Sequence, residues 1–94
     1  METKTRTAEE FCLVLTPSLL AAPRASAAIR ERFEVLAEET CSELATVVTE
    51  LIENSVMRRP GKPITVSIAL RDDSVRGEVA DRGGLTAFEI PLDS

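Results

Sequence analysis

Three runs in the C-terminal third alternate apolar and polar residues with period two. Ile64-Thr65-Val66-Ser67-Ile68-Ala69-Leu70 sets Ile64, Val66, Ile68 and Leu70 on one side of an extended chain. Arg71-Asp72-Asp73-Ser74 is turn material, and Val75 to Asp81 then repeats the pattern with Val75, Gly77 and Val79 on one face. After Arg82-Gly83-Gly84, the run Thr86 to Leu92 turns Phe88, Ile90 and Leu92 to one side, and Pro91 suits an edge position. Strands apolar on one face only must bury that face against another layer.

The preceding residues supply that layer. Phe11 to Leu15 reads as a short strand closed by Thr16-Pro17. From Pro23 to about Glu38, Ala25, Ile29, Phe33 and Leu36 recur at helical spacing, with Arg24, Arg30, Glu31 and Glu34 away from that stripe. Pro23 fits the first turn of a helix, where its missing N–H costs nothing. Thr40-Cys41-Ser42-Glu43 has the form of a capping box, Thr40 as N-cap and Glu43 reaching back. The helix it predicts carries Leu44, Val47, Val48, Leu51 and Ser55 on a broad face and runs to Arg58 or Arg59 before Pro60-Gly61-Lys62-Pro63 stops it. The predicted fold is α+β: a two-layer sandwich of order β-α-α-β-β-β, with a four-stranded, mostly antiparallel sheet and two helices on one face. Residues 1–9 read as a flexible start and 10–94 as one domain.

The inventory excludes much chemistry. The chain of 94 residues contains no His, which removes Ser-His-Asp triads, Cys-His dyads and His-ligated zinc. Cys12 and Cys41 make no CxxC pair and read as two small buried hydrophobes in a reducing compartment. Three Phe with no Trp or Tyr offer no stacking platform for single strands. The net charge of −5 disfavours a phosphate-backbone partner, so no nucleic acid is expected. Arg58, Arg59 and Lys62 read as a helix C-terminus rather than a binding patch. The polar N-terminus has no signal-peptide core, and no stretch approaches the ~20 apolar residues that span a bilayer. A cytoplasmic location without membrane contact is the expectation.

Glu50 and Asn54 stand four apart on the second predicted helix, which puts a carboxylate and a carboxamide on one face. Hard oxygen ligands so placed can approach one Mg²⁺ together with its waters. Asp81 ends a strand and is followed by Gly83 and Gly84; an acceptor there can bond an exocyclic amine, and a glycine lets a flat ring approach the backbone. Each signal alone is more often a solvated helix face or a turn.

The stretch Thr46-Val47-Val48-Thr49-Glu50-Leu51-Ile52-Glu53-Asn54-Ser55-Val56, then a Pro/Gly loop, two strands and Val79-Ala80-Asp81-Arg82-Gly83-Gly84, resembles the GHKL ATPases, the gyrase, heat-shock chaperone, histidine kinase and MutL group. The resemblance runs over about residues 9–84 and is greatest to the bacterial anti-sigma-factor branch, the serine-kinase-like partner-switching regulators of transcription. It implies a reduced Bergerat-type ATPase fold. It implies that Asn54 ligates Mg²⁺, Glu50 activates water or a substrate hydroxyl, Asp81 accepts from adenine, and Gly83 and Gly84 accommodate the nucleotide, Mg-ATP or Mg-ADP.

Departures from the family bear on function. The last glycine of its first glycine box falls on Leu85, and no lid, second glycine motif or further helix precedes the closing run. Either Gly84 joins almost directly to a final strand, or residues 85–94 are the root of a lost lid; the alternation of Phe88, Ile90 and Leu92 favours the first. The expected function is an anti-sigma-factor-like regulatory module that acts by protein contact through a degenerate ATP site, its partner a sigma factor or anti-sigma antagonist, and a homodimer is compatible with it. The alternatives are an Mg-ATP-dependent serine/threonine kinase of the partner-switching type and an orphan α+β domain without ligand.

Overall fold

The computed structural model describes residues 9–58 and 62–92. The elements follow in the order β1 (Glu9–Leu15), α1 (Ala21–Arg32), α2 (Glu38–Arg58), β2 (Ile64–Leu70), β3 (Ser74–Asp81) and β4 (Gly84–Pro91). The strands form one sheet in the order β1-β2-β3-β4, every neighbour antiparallel. Both helices pack on one face, so the α+β layout read from the pattern of residues is the observed one.

Alternation decides which side chains go inward. Leu15, Ile64, Val66, Ile68, Val75, Val79 and Ile90 are buried under the helices, with Phe11, Leu13, Phe88 and Leu92 packed against them. Gly77 lies directly across from Phe88. A Cβ at Gly77 would come within 2.3 Å of Phe88 Cζ, so the missing side chain is what lets the ring lie over the strand. Pro91 sits on β4, an edge strand, where its lack of an N–H is tolerated.

Several boundaries move. α1 starts at Ala21, where the Ser18 hydroxyl accepts from Leu20 N–H at 3.1 Å and the Ser18 carbonyl from Ala21 N–H at 3.1 Å. It ends at Arg32, well short of Glu38. Phe33 leaves the helix at φ −113°, ψ 38° while its N–H still bonds the Ile29 carbonyl. Its ring is fully buried, edge-on to Phe11 with centroids 5.9 Å apart, and Leu36 N–H closes a turn on the Phe33 carbonyl. Helical spacing persisted through Leu36 because a tight turn also returns a side chain three residues on to the same core.

α2 correspondingly begins at Glu38, so Thr40 lies inside its first turn and is not an N-cap. Glu38 and Glu39 put negative charge where the helix dipole favours it, in place of the capping box. β1 takes in Glu9, the last residue of the stretch expected to be flexible, and β4 takes in Gly84, read as loop. The rest of that flexible start, residues 1–8, lies outside the described residues, as do Arg59, Pro60 and Gly61 and the helix stop assigned to them.

The two cysteines part company. Cys41 is buried in α2 against the core, as expected. Cys12 is exposed. Phe11, Leu13 and Leu15 take the helix-covered side of β1, so alternation sends Cys12 to the open one.

Candidate functional site

α2 buries Cys41, Leu44, Ala45, Val48, Ile52 and Ser55, a stripe at intervals of three and four. Glu50 is two residues from both Val48 and Ile52, about 200° around the helix from each. It therefore projects from the side of α2 opposite the sheet, where it is exposed. There it lines a shallow crevice of about 220 Å³ between the helices, with Ser26, Arg30, Thr46 and Thr49. Asn54, one turn further, is also exposed.

Asp81 ends β3 on the same face as Val79 and is half-buried. It pairs directly with Gly84, leaving only Arg82 and Gly83 as a two-residue hairpin loop. Asp81 Oδ1 accepts the Gly83 N–H at 2.7 Å, tying the carboxylate into its own turn. A Cβ at Gly84 meets nothing within 4 Å, so no neighbour within the fold demands glycine there.

Topology brings part of the set together. β3 runs antiparallel to β2, so Asp81 lies beside the start of β2, where the chain arrives from the C-terminal end of α2. Asn54, Asp81, Gly83 and Gly84 thus share one end of the domain. Glu50, one turn back on the same outward side of α2 as Asn54, lies beside α1. The Asp81–Gly84 pairing leaves no chain between the glycines and β4 that could fold over phosphates. An enclosed Mg-ATP site needs a backbone cradle and a water-excluding cover, and this arrangement does not fit one. Among the described residues, no group of three or more Cys, Asp or Glu is placed to hold a metal ion. No helix among them is long and apolar enough to cross a membrane.

A larger concavity, about 720 Å³, lies on the opposite, open face of the sheet. Cys12, Ser67, Arg76, Glu78 and Glu89 are among its walls. Ser67 Oγ is 3.8 Å from Cys12 Sγ, and Arg76 Nε donates to Glu89 Oε2 at 3.5 Å. The buried Ser74 hydroxyl and then the Arg76 guanidinium hold the Glu89 carboxyl below its ordinary value. The sequence reading passed over this surface because its residues come from four strands. Its one signal is the small residues at outward positions, Ser67, Ala69 and Ala87.

No family model matches the chain, and no curated protein matches it.

Proposed function

We propose that this chain is an anti-sigma-factor-like regulatory module, a reduced GHKL-type domain that acts by protein contact and carries a degenerate nucleotide site. One observation supports the reading most. The glycine segment that resembles the family's first glycine box closes as a two-residue hairpin, with Asp81 paired to Gly84 and the Asp81 carboxylate bonded to Gly83 N–H. A helix pair over an antiparallel sheet is kept, and the part of the family's domain that would enclose a triphosphate is replaced by a strand. Catalysis of phosphoryl transfer is mostly positioning and charge neutralisation in a closed site, which an open surface does not supply. The kinase reading is weakened further because Glu50 and Asn54 are exposed on the side of α2 turned from the sheet, whereas the Asp81 carboxylate is tied into its own hairpin.

Calorimetry with Mg-ATP and Mg-ADP tests the degenerate site. The expected result is no saturable heat up to about 1 mM, a free energy weaker than about −4 kcal/mol. Micromolar binding abolished by both Asn54→Ala and Asp81→Ala would restore the kinase reading. Capture of sigma-factor regulators by the tagged chain, equal with and without nucleotide, is the positive arm.

A further inference from the structure

Exposed apolar surface is not spread evenly over the molecule. Among the described residues the large exposed hydrophobics are Val14, Leu19, Leu20, Val35, Met57 and Leu85. All except Val35 belong to one end of the domain, where β1 finishes, α2 finishes and β4 begins. Leu19 is 94% exposed and Met57 80%. On the open face of the sheet, the register lines up Val14, Thr65, Ala80 and Leu85 as the row nearest that end.

Charge is divided along the same axis. Exposed Arg24, Lys62 and Arg82 come to this end from the start of α1, the approach to β2 and the β3–β4 turn. Of the acidic groups here, Asp81 is bonded into its own hairpin and exposed Glu53 stands near the end of α2, so the three exposed bases outnumber the exposed acid among the described residues. The opposite end carries exposed Glu31, Glu34, Glu38, Glu39, Asp72 and Asp73 around the α1–α2 connection and the β2–β3 turn, twice the number of exposed arginines there, Arg30, Arg32 and Arg71. A chain of net charge −5 thus presents an end that is both basic and apolar.

We propose that this end is a docking surface for an acidic, amphipathic segment of a partner protein, its apolar side chains on Leu85, Val14 and Leu19 and its carboxylates on Lys62, Arg82 and Arg24. The inference rests on the protein-contact reading above and names the surface and the partner chemistry. Complementarity of charge selects the occupant. Interactions between exposed charges are screened beyond about 8 Å at physiological salt. A short segment confined to this end therefore meets the basic groups and little of the acidic body. An anionic bilayer is a plane, and three basic side chains supply only about 1 kcal/mol each against it while the acidic remainder is repelled. A second copy of the chain would have to set its acidic end here, an open-ended contact rather than a closed dimer.

The test is fluorescence anisotropy of a labelled amphipathic helical peptide built from Leu and Glu, titrated with the full chain. A Leu–Lys peptide of equal length and phosphatidylglycerol vesicles form the other arms. The Leu–Glu peptide is expected to bind, to weaken about tenfold or more with Lys62→Glu and Arg82→Glu combined, and to weaken as salt is raised. Leu85→Ser is expected to weaken it with the salt dependence kept. Glu34→Lys, at the far end, leaves it unchanged. All these positions are exposed, so circular dichroism should show every variant folded. Equal binding of the Leu–Lys peptide, vesicle binding in place of peptide binding, or a Leu–Glu affinity indifferent to Lys62 and Arg82 would overturn the proposal. If the peptide binds this end while no sigma-factor regulator is captured, the surface stands and the regulatory reading fails. If a regulator is captured equally by the Lys62→Glu, Arg82→Glu variant, the reading stands and the surface fails.

Discussion

The two faces of the single sheet use the same strands and differ in almost everything else. Under the helices, Val66 and Val75 are wholly buried, and Ile68 nearly so. On the open side, one residue along, stand Ser67, Ala69, Arg76 and Glu78. The covered face draws its stability from area removed from water, about 25 cal/mol per Å², and from close packing. The open face holds small side chains such as Ser67 and Ala69, exposed charges such as Glu78, and the surface pair Arg76–Glu89, whose worth is small. Burial against the helices is thus confined to one face of the sheet. Changes on the covered face are therefore expected to cost far more stability than changes on the open one.

Substitutions should break this contrast in a graded way. The largest loss is expected from Phe33→Ala, which empties the space between α1 and the sheet and removes the edge-on contact with Phe11. Such truncations cost about 3–5 kcal/mol, a large part of the about 5–15 kcal/mol available to a domain. Urea denaturation followed by circular dichroism should show the midpoint collapse. A midpoint within error of the parent would mean that Phe33 is not in the core described.

A smaller loss follows from Gly77→Ala, on the covered face of β3. The new methyl would stand 2.3 Å from Phe88 Cζ, so the ring must swing aside. Overpacking of this kind costs about 1–3 kcal/mol. The companion Phe88→Leu should recover part of it, and a double-mutant cycle measures the coupling. Additive effects would show that the ring does not lie over Gly77.

The smallest effect belongs to the open face and depends on pH. Glu89 is ionised more readily in the folded chain than in the unfolded one, through Ser74 and then Arg76. A depressed carboxyl contributes stability that is fully present above its unfolded value, about 4.3, and is lost as pH falls through the lower folded value. Wild type should therefore exceed Glu89→Gln in stability at neutral pH, with the gap closing in acid. A gap that widens in acid would reverse the sign of the shift.

The strands were largely legible because alternation survives in each of them. Ile64–Leu70 was delimited to the residue, since Pro63 precedes it and Arg71-Asp72-Asp73 follows it. Helix ends were less legible. Phe33 fits both a continuing helix and a buried cap, and the choice belongs to the ring that packs on Phe11, a residue more than twenty positions away. Thr40 through Glu43 has the composition of a capping box, yet acidic residues at 38 and 39 let the helix start earlier. Among the candidate site residues, spacing foretold that Glu50 and Asn54 share a helix. It could not foretell that Glu50 faces away from the sheet, because that depends on which neighbouring residues the core claims.

Composition and periodicity by themselves determined the α+β layout, the order of elements, the inward side of each C-terminal strand and the absence of histidine chemistry. These are local properties, set by the period of side-chain direction in helix and strand. Only the tertiary structure decided that Cys12 faces water, that Asp81 is bonded into a hairpin closed on Gly84, and that one end of an acidic chain gathers Lys62, Arg82, Val14 and Leu85. Each of these turns on which segments meet. That is settled by the helices burying one face of the sheet and leaving the other open, not by any run of neighbouring residues.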